Sequence, residues 1–412
     1  MKKKVLIIGN SPSGYSIAKK LSEKYEVYIT PSSDMLKEFV TCLDIREDNS
    51  RELLEFVVEN SIDMTIAISQ KAINSDIASL FADNNQAIFA PTSKANDIVS
   101  NKVFTKKTMY KLRIPTPKFG IFEKQNFAND YLKNQKIPYV IKTNESNSAV
   151  IITSQSISKN ILDMMFAQKN NKVIIEDYIY GTPFSFYTIT DGFKALPIGS
   201  SLTYKHALEG DGGQLTSGAG SCVPNYKISF EHEYMIMDNV IYPTLDYLQM
   251  QGNPYLGILG VNGIITDDGN IQILGWQSFM QDCDADGILN NIQDDLYDLF
   301  EACIIGSFSD EVDSVNINDK NSVSVVLVNK NKDNTENSIT GLDNLDDNIS
   351  ISFYPSVHKN KYLEYEAGSG SVLVFTSFAS SLAKASDRVY SELLDVDFKG
   401  ISYRKDICKY NI

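Results

Sequence analysis

Residues Thr203 to Gly220 read T-Y-K-H-A-L-E-G-D-G-G-Q-L-T-S-G-A-G, which sets one lysine, one histidine and two carboxylates among five glycines. Glycine lets a backbone take positive φ and approach a ligand closely. Charged side chains held on such a segment suit a small polar substrate better than a hydrophobic core. The plain alternative is a flexible surface loop. Elsewhere the chemistry-bearing residues are spread out. Asn101-Lys102-Val-Phe-Thr-Lys opens a helix, and Pro138-Tyr-Val-Ile-Lys142 and Val173-Ile-Ile-Glu176-Asp177-Tyr-Ile-Tyr-Gly181 read as strands. Asp282, Asp284 and Asp286 alternate ahead of an apolar run. No glycine occurs between Gly120 and Gly181.

The elements around these residues point to more than one subdomain, since 412 residues exceed the roughly 250–300 at which a single core stops growing. The net charge of −14 argues against a nucleic-acid or anionic-membrane partner. It leaves room for a small anion in a locally basic pocket. No apolar run approaches the ~20 residues of a membrane span. Met1-Lys-Lys-Lys-Val-Leu-Ile-Ile reads as a buried first strand, because its apolar run stops at Gly9. The cysteines (Cys42, Cys222, Cys283, Cys303 and Cys408) are odd in number and scattered, as in a reduced cytoplasmic protein.

Strand–helix alternation through residue 89 predicts a parallel sheet flanked by helices. Ala90-Pro91-Thr92-Ser93 marks a boundary, and the helix near 101–112 must end before Ile114-Pro115-Thr116-Pro117. A helix is expected over 231–250 and another over 288–305. A hairpin is expected around Asp267-Asp268-Gly269-Asn270, a polar acidic linker over 307–321, and a helix near 380–394. The Asn/Asp-rich stretch 329–337 reads as a solvated loop.

In this order the segments resemble the ATP-grasp enzymes and, within them, the phosphoribosylamine–glycine ligase family. That family's D-H-K-R-x-x-D-G-D-x-G-P-N-T-G-G-M-G is matched at Lys205, Gly210, Asp211, Gly213, Thr216, Gly218 and Gly220, with Glu209 in place of Asp. Tyr403-Arg404-Lys405-Asp406-Ile407 resembles its Y-R-x-D-I ending. The resemblance implies a mixed α/β and α+β chain with the ATP-grasp fold. It divides into an N-terminal α/β domain (1–100), an ATP-grasp domain (101–320, lobes 101–190 and 191–320) and a small C-terminal α+β domain (321–412). It implies ATP and Mg²⁺ as cofactors and small-molecule substrates, an amino acid and phosphoribosylamine. In the family, the carboxylate of glycine attacks the γ-phosphate, and the amine then attacks the acyl phosphate. By position, Lys205, Glu209 and Asp211 would be catalytic. His206, Gly213, Thr216 and Gly218 would bind substrate. Lys102 and Lys142 would meet the nucleotide phosphates, with Glu176, Asp177, Tyr178 and Ile179 along the adenine edge.

The same comparison marks departures. The family loop A-D-G-L-A-A-G-K-G-V is here Thr-Asn-Glu-Ser-Asn-Ser-Ala-Val150, with its glycines and second lysine replaced and Glu145 adding negative charge. The metal-binding E-F-N-x-R-F-G-D-P-E is here Gly275-Trp-Gln277-Ser-Phe279-Met-Gln281-Asp282-Cys-Asp284. Glycine offers Mg²⁺ no side-chain oxygen, and glutamine is a methylene too long. Asp282, Asp284 and Asp286 either hold a displaced ion or cap the following helix. Family phosphate contacts are replaced at Gly9-Asn-Ser-Pro-Ser-Gly-Tyr15, at Ile68-Ser69-Gln70 and at Ser371, and the expected ribose carboxylate is Pro183. The losses fall on nucleotide, metal and phosphate positions, while the Lys205–Gly220 stretch is largely kept. The chain reads as an ATP-dependent carbon–nitrogen ligase with an altered centre, or as a repurposed relative that binds a small ligand or partner protein.

Overall fold

Apolar β-branched runs bounded by glycine and proline build the N-terminal layer. Lys4–Ile8, Glu26–Thr30, Thr41–Cys42, Met64–Ala67 and Ile88–Phe89 form a five-stranded parallel sheet with Lys4–Ile8 at its centre. The computed structural model describes residues 2–144, 149–167, 171–308, 312–331 and 337–409. Glu145 and part of its loop lie outside them, as do residues within the 307–321 and 329–337 stretches. The first helix, Pro12–Ser22, starts on Ser11 with proline in its first turn, where the missing N–H costs nothing.

Residues 119–177 carry a separate sheet, here called the small lobe. Its antiparallel sheet runs Phe119–Phe122, Val173–Asp177, Tyr139–Thr143, Ala149–Ile152. Alternation decides its faces. Tyr139, Ile141, Val173 and Ile175 are buried with Ala128, Leu132 and Leu162 of two covering helices. Lys142 and Glu176 project from the other face.

Apart from a two-stranded ribbon of His358–Lys359 and Tyr365–Glu366, the remaining strands described make one nine-stranded sheet that begins Ile271–Gln277, Leu256–Ile265, Thr182–Asp191, Ala195–Leu208, Gly212–Val223. It continues directly into Asn321–Asn329 and Gly370–Ala379, with Gly220 opposite Val325. Asn321–Asn329, Ile349–Phe353, Gly370–Ala379 and Ile401–Ser402 therefore extend the central sheet.

Several expectations are corrected. The Thr203–Gly220 stretch is a β-hairpin, closed by a short turn at Glu209–Asp211 where Gly210 and Asp211 take positive φ. The helix expected over 288–305 is two, Asp282–Leu289 and Leu296–Ile305. Asp295 restarts the chain by accepting the Tyr297 N–H at 2.9 Å, an N-cap that overrides the apolar periodicity. The 231–250 helix is continuous but carries a π turn at Met237–Ile241 just before Pro243, which accommodates the ring and its missing N–H. Cys222 and Cys408 are paired as a disulfide, leaving Cys42, Cys283 and Cys303 free. The C-terminal segment lies back against the hairpin, where the Cys408 N–H donates to the Tyr204 hydroxyl at 3.1 Å.

Candidate active site between the small lobe and the central sheet

The site is built around Glu176. Its carboxylate is 1% exposed and bridges Lys106 Nζ at 3.1 Å and Lys142 Nζ at 2.8 Å. Lys142 arrives there because Val140 pairs with Glu176, which puts residue 142 two positions along on the same face. Lys106 comes from the helix Lys102–Leu112, which Asn101 caps by accepting the Phe104 N–H at 3.0 Å. Asn144 accepts the Val103 N–H at 2.9 Å and ties this helix start to the strand carrying Lys142. Lys106 also donates to Thr116 Oγ1 at 2.7 Å, which in turn donates to the Ile273 carbonyl at 2.8 Å. Helix, small lobe and central sheet thus meet at one ion pair.

Burial pushes the Glu176 carboxyl up, but Lys142 and Lys106 outweigh it and hold the group below its ordinary range. Burial, with Lys142 adding to it, lowers Lys102 to about 8. Burial also lowers Lys106 to about 8, against the pull of Glu176. Lys205 is lowered by burial and partly restored by Asp284. Lys102, Lys142 and Lys205 feel one another's charge. Sequence reading missed Lys106, although its i, i+4 spacing from Lys102 puts both on one helix face.

Across the cleft, one face of the central sheet is polar. Ser185 pairs with Ser201 and with Asn262, and Asn262 pairs with Gly275. Gln277 lies two residues farther on that face. The Asn262 side-chain oxygen accepts from Ser185 Oγ at 2.8 Å and from Gln277 Nε2. With the amide of Gln281 oriented to satisfy its neighbours, its oxygen accepts from Gln277 Nε2 at 3.1 Å and from Lys205 Nζ at 3.2 Å. Its nitrogen donates to the Ser217 carbonyl at 3.0 Å. Asn262 and Gln281 carried no sequence signal on their own.

Asp282 and Asp284, the possible displaced metal site, do not converge. The carboxylates of their helix diverge to different partners. Asp284 is fully buried and accepts from Tyr187 and Ser201 hydroxyls at 2.7 Å each. Asp286 takes Ser16 at 2.6 Å, and Asp282 faces the Ser13 N–H at 3.4 Å. Burial pushes all three carboxyls up. Among the described residues no group of three His, Cys, Asp or Glu is arranged to hold a metal. Around Gln277 the central sheet offers a glycine, amides already hydrogen-bonded, and an ammonium group. That donor set does not fit Mg²⁺, which takes near-octahedral oxygen ligation.

The hairpin residues split. Lys205 is half-buried and reaches the Gln281 amide, whereas Glu209 and Asp211 sit at the exposed tip. Asp211 accepts from Arg404 Nη1 at 2.8 Å, and Arg404 clamps Asp406 with two bonds of 2.8 and 2.7 Å. His206 gives its carbonyl to the same guanidinium at 3.1 Å. The catalytic grouping of Lys205 with Glu209 and Asp211 is therefore not assembled here. Thr216 bonds the Lys205 carbonyl at 3.0 Å and accepts the Gly218 N–H at 3.1 Å. Gly213 takes positive φ at the turn. A Cβ on Gly218 would lie 2.7 Å from Cys283 Sγ, so this glycine serves packing. Glu176 is an ion-pair partner inside the lobe. Asp177 ends the strand with its N–H on the Lys118 carbonyl at 2.9 Å, and Tyr178 and Ile179 follow outside any strand.

Arg404→Ala should cost about 3 kcal/mol, because it strands the buried Asp406 carboxylate. Asp211→Asn should cost less than about 1 kcal/mol, since Asp211 is 62% exposed. Urea melts of the two variants distinguish these outcomes.

The N-domain model of phosphoribosylglycinamide synthetase matches residues 3–98, and the ATP-grasp (A) domain model of the same synthetase matches residues 100–285. The chain belongs to the phosphoribosylglycinamide synthetase family. Phosphoribosylamine–glycine ligases of Caldanaerobacter subterraneus subsp. tengcongensis and Neisseria meningitidis serogroup B are 27% and 28% identical to it. Both alignments span 98% of this chain, and they cover 99% and 98% of those proteins. The crystal structure of phosphoribosylamine–glycine ligase from Thermotoga maritima superposes with a TM-score of 0.82 at 20% identity, covering 98% of this chain and all of that one. Biotin carboxylase from Campylobacter jejuni shares the fold at a TM-score of 0.73 and 12% identity, over 99% and 94% of the two chains.

Proposed function

We propose that the protein is an ATP-dependent carbon–nitrogen ligase of the phosphoribosylamine–glycine ligase type, acting in purine synthesis on small-molecule substrates. The observation that carries this reading is the Lys142–Glu176–Lys106 chain facing Lys205 across the cleft. In the reaction, a carboxylate oxygen of glycine bonds to the terminal phosphorus of ATP as the bond to ADP breaks. The amine of phosphoribosylamine then attacks the acyl carbon and inorganic phosphate leaves. Both encounters with phosphate bring anions together, and the lysines lower that repulsion. Glu176 positions Lys142 and Lys106; the lysines hold and orient phosphate oxygens.

A second reading, a relative that binds a small ligand without turnover, is favoured by Gly275 and by the engaged amide of Gln277. An ADP-release assay with glycine and phosphoribosylamine separates the two. ADP formation that requires both substrates supports the ligase. Nucleotide binding with no substrate-dependent ADP at any Mg²⁺ or Mn²⁺ concentration supports the binder.

Phosphate affinity should fall as pH rises from 7 to 9. Lys102 and Lys106 lose their protons near 8 in the free protein, and Lys142, Lys205 and Glu176 are the charged groups around them. A phosphate ligand favours the protonated lysines, so affinity is full below about 8 and drops about tenfold per pH unit for each required lysine above it. Titrations at pH 7, 8 and 9 check this.

A further inference from the structure

The cleft brings four lysines, Lys102, Lys106, Lys142 and Lys205, to one carboxylate, Glu176. Lys106 and Lys142 share the Glu176 carboxylate, and Lys102, whose ammonium donates to the Val99 carbonyl at 3.1 Å, lies close enough to feel Lys142, Glu176 and Lys205. Lys205 faces them from the central sheet and bonds the Gln281 amide oxygen at 3.2 Å. The face around it is neutral, with Asn262, Gln277 and Gln281 bonded to one another and Gly275 bearing no side chain. The carboxylate beneath, Asp284, is filled by Tyr187 and Ser201 hydroxyls.

We infer that this cleft holds the phosphates of its ligand by lysine charge alone, without a divalent cation. An ammonium is a compact point charge with three donors and makes charge-assisted bonds to phosphate oxygens. A metal ion entering here would meet lysines and already bonded amides. A polyphosphate would instead neutralise the lysines. Magnesium bound to the free nucleotide would compete with the protein for the same oxygens. The inference rests on the proposed nucleotide reading for the identity of the ligand, and on the cleft itself for its independence of metal.

Calorimetric titration of the full chain with ATP and with inorganic tripolyphosphate, each in EDTA and in Mg²⁺, tests it. The expected result is ATP binding in EDTA that Mg²⁺ leaves unchanged or weakens. Tightening by Mg²⁺ of tenfold or more overturns the inference while leaving the nucleotide reading standing. Tripolyphosphate binding in EDTA without ATP binding supports the inference and overturns the nucleotide reading. Binding of neither anion in EDTA overturns the inference. Lys205→Gln, and independently Lys102→Gln, should each weaken anion binding in EDTA at least tenfold with an unchanged circular dichroism spectrum. Full affinity in both folded variants would also overturn it.

Discussion

Glu176→Ala should lower stability at neutral pH by about 3–5 kcal/mol, the range for removing one partner of a buried ion pair. The alanine leaves Lys106, 3% exposed, with a charge and no carboxylate, and leaves Lys142, 17% exposed, beside it. Total stabilities of domains run about 5–15 kcal/mol, so the small lobe should open first and lose amide-exchange protection over Tyr139–Thr143 and Val173–Asp177. The pH dependence has a definite sign. Lys106 is already lowered to about 8 in the folded protein from 10.5. Glu176 is what holds that proton against burial, so the variant's folded state sheds it at lower pH than the parent's, and the cost of the variant shrinks as pH rises toward about 8 and is level above it. Glu176→Gln keeps the volume and a hydrogen-bond acceptor and should cost less than Glu176→Ala. Denaturant melts at pH 7 and 9 decide the matter; a loss under about 1 kcal/mol at pH 7 would show that the ion pair is not what joins the lobes.

The second large effect is a gain. A Cβ built on Gly275 meets no atom within 4 Å, so Gly275→Glu adds a carboxylate to the polar face without a clash. Gln277→Asn shortens the amide by a methylene and withdraws it from Asn262. Together they should make ATP binding metal-dependent. Mg²⁺ should tighten binding to the double variant at least tenfold, about 1.4 kcal/mol, where the parent shows no such gain. In EDTA the same variant should bind ATP more weakly than the parent, because the new carboxylate repels phosphate. The two proteins should therefore respond in opposite senses. Equal responses to Mg²⁺ would show that this position does not govern metal use.

The alternating strands and helices of the first domain were legible because apolar runs ended at glycine or proline, as at Ile8-Gly9 and Ala90-Pro91. The hairpin at 267–270 was legible from its turn residues. The Thr203–Gly220 stretch was not, because its glycine density speaks against a strand. What overrides it is pairing: a Cβ on Gly220 would lie 2.5 Å from the Ser324 carbonyl, so glycine is what lets the two strands approach. The break at 290–295 was hidden because the apolar residues keep a helical period across it, while one side chain, Asp295, restarts the helix. In the site, Lys102, Lys142 and Lys205 were read from motifs. The partners that give them meaning were not, since Glu176 shields two lysines from another strand and Arg404 takes Asp211 across 193 residues. A contact between distant segments leaves no local pattern to read.

The central claim is that an inherited nucleotide clamp works here on lysines in place of a metal. Anomalous diffraction from crystals soaked with a non-hydrolysable ATP analogue and Mn²⁺ tests it most directly. The account predicts triphosphate oxygens against Lys102, Lys142 and Lys205 with no anomalous peak beside Gln277. A fully occupied manganese ion there, ligated by Gln277 and bridging the phosphates, would contradict it.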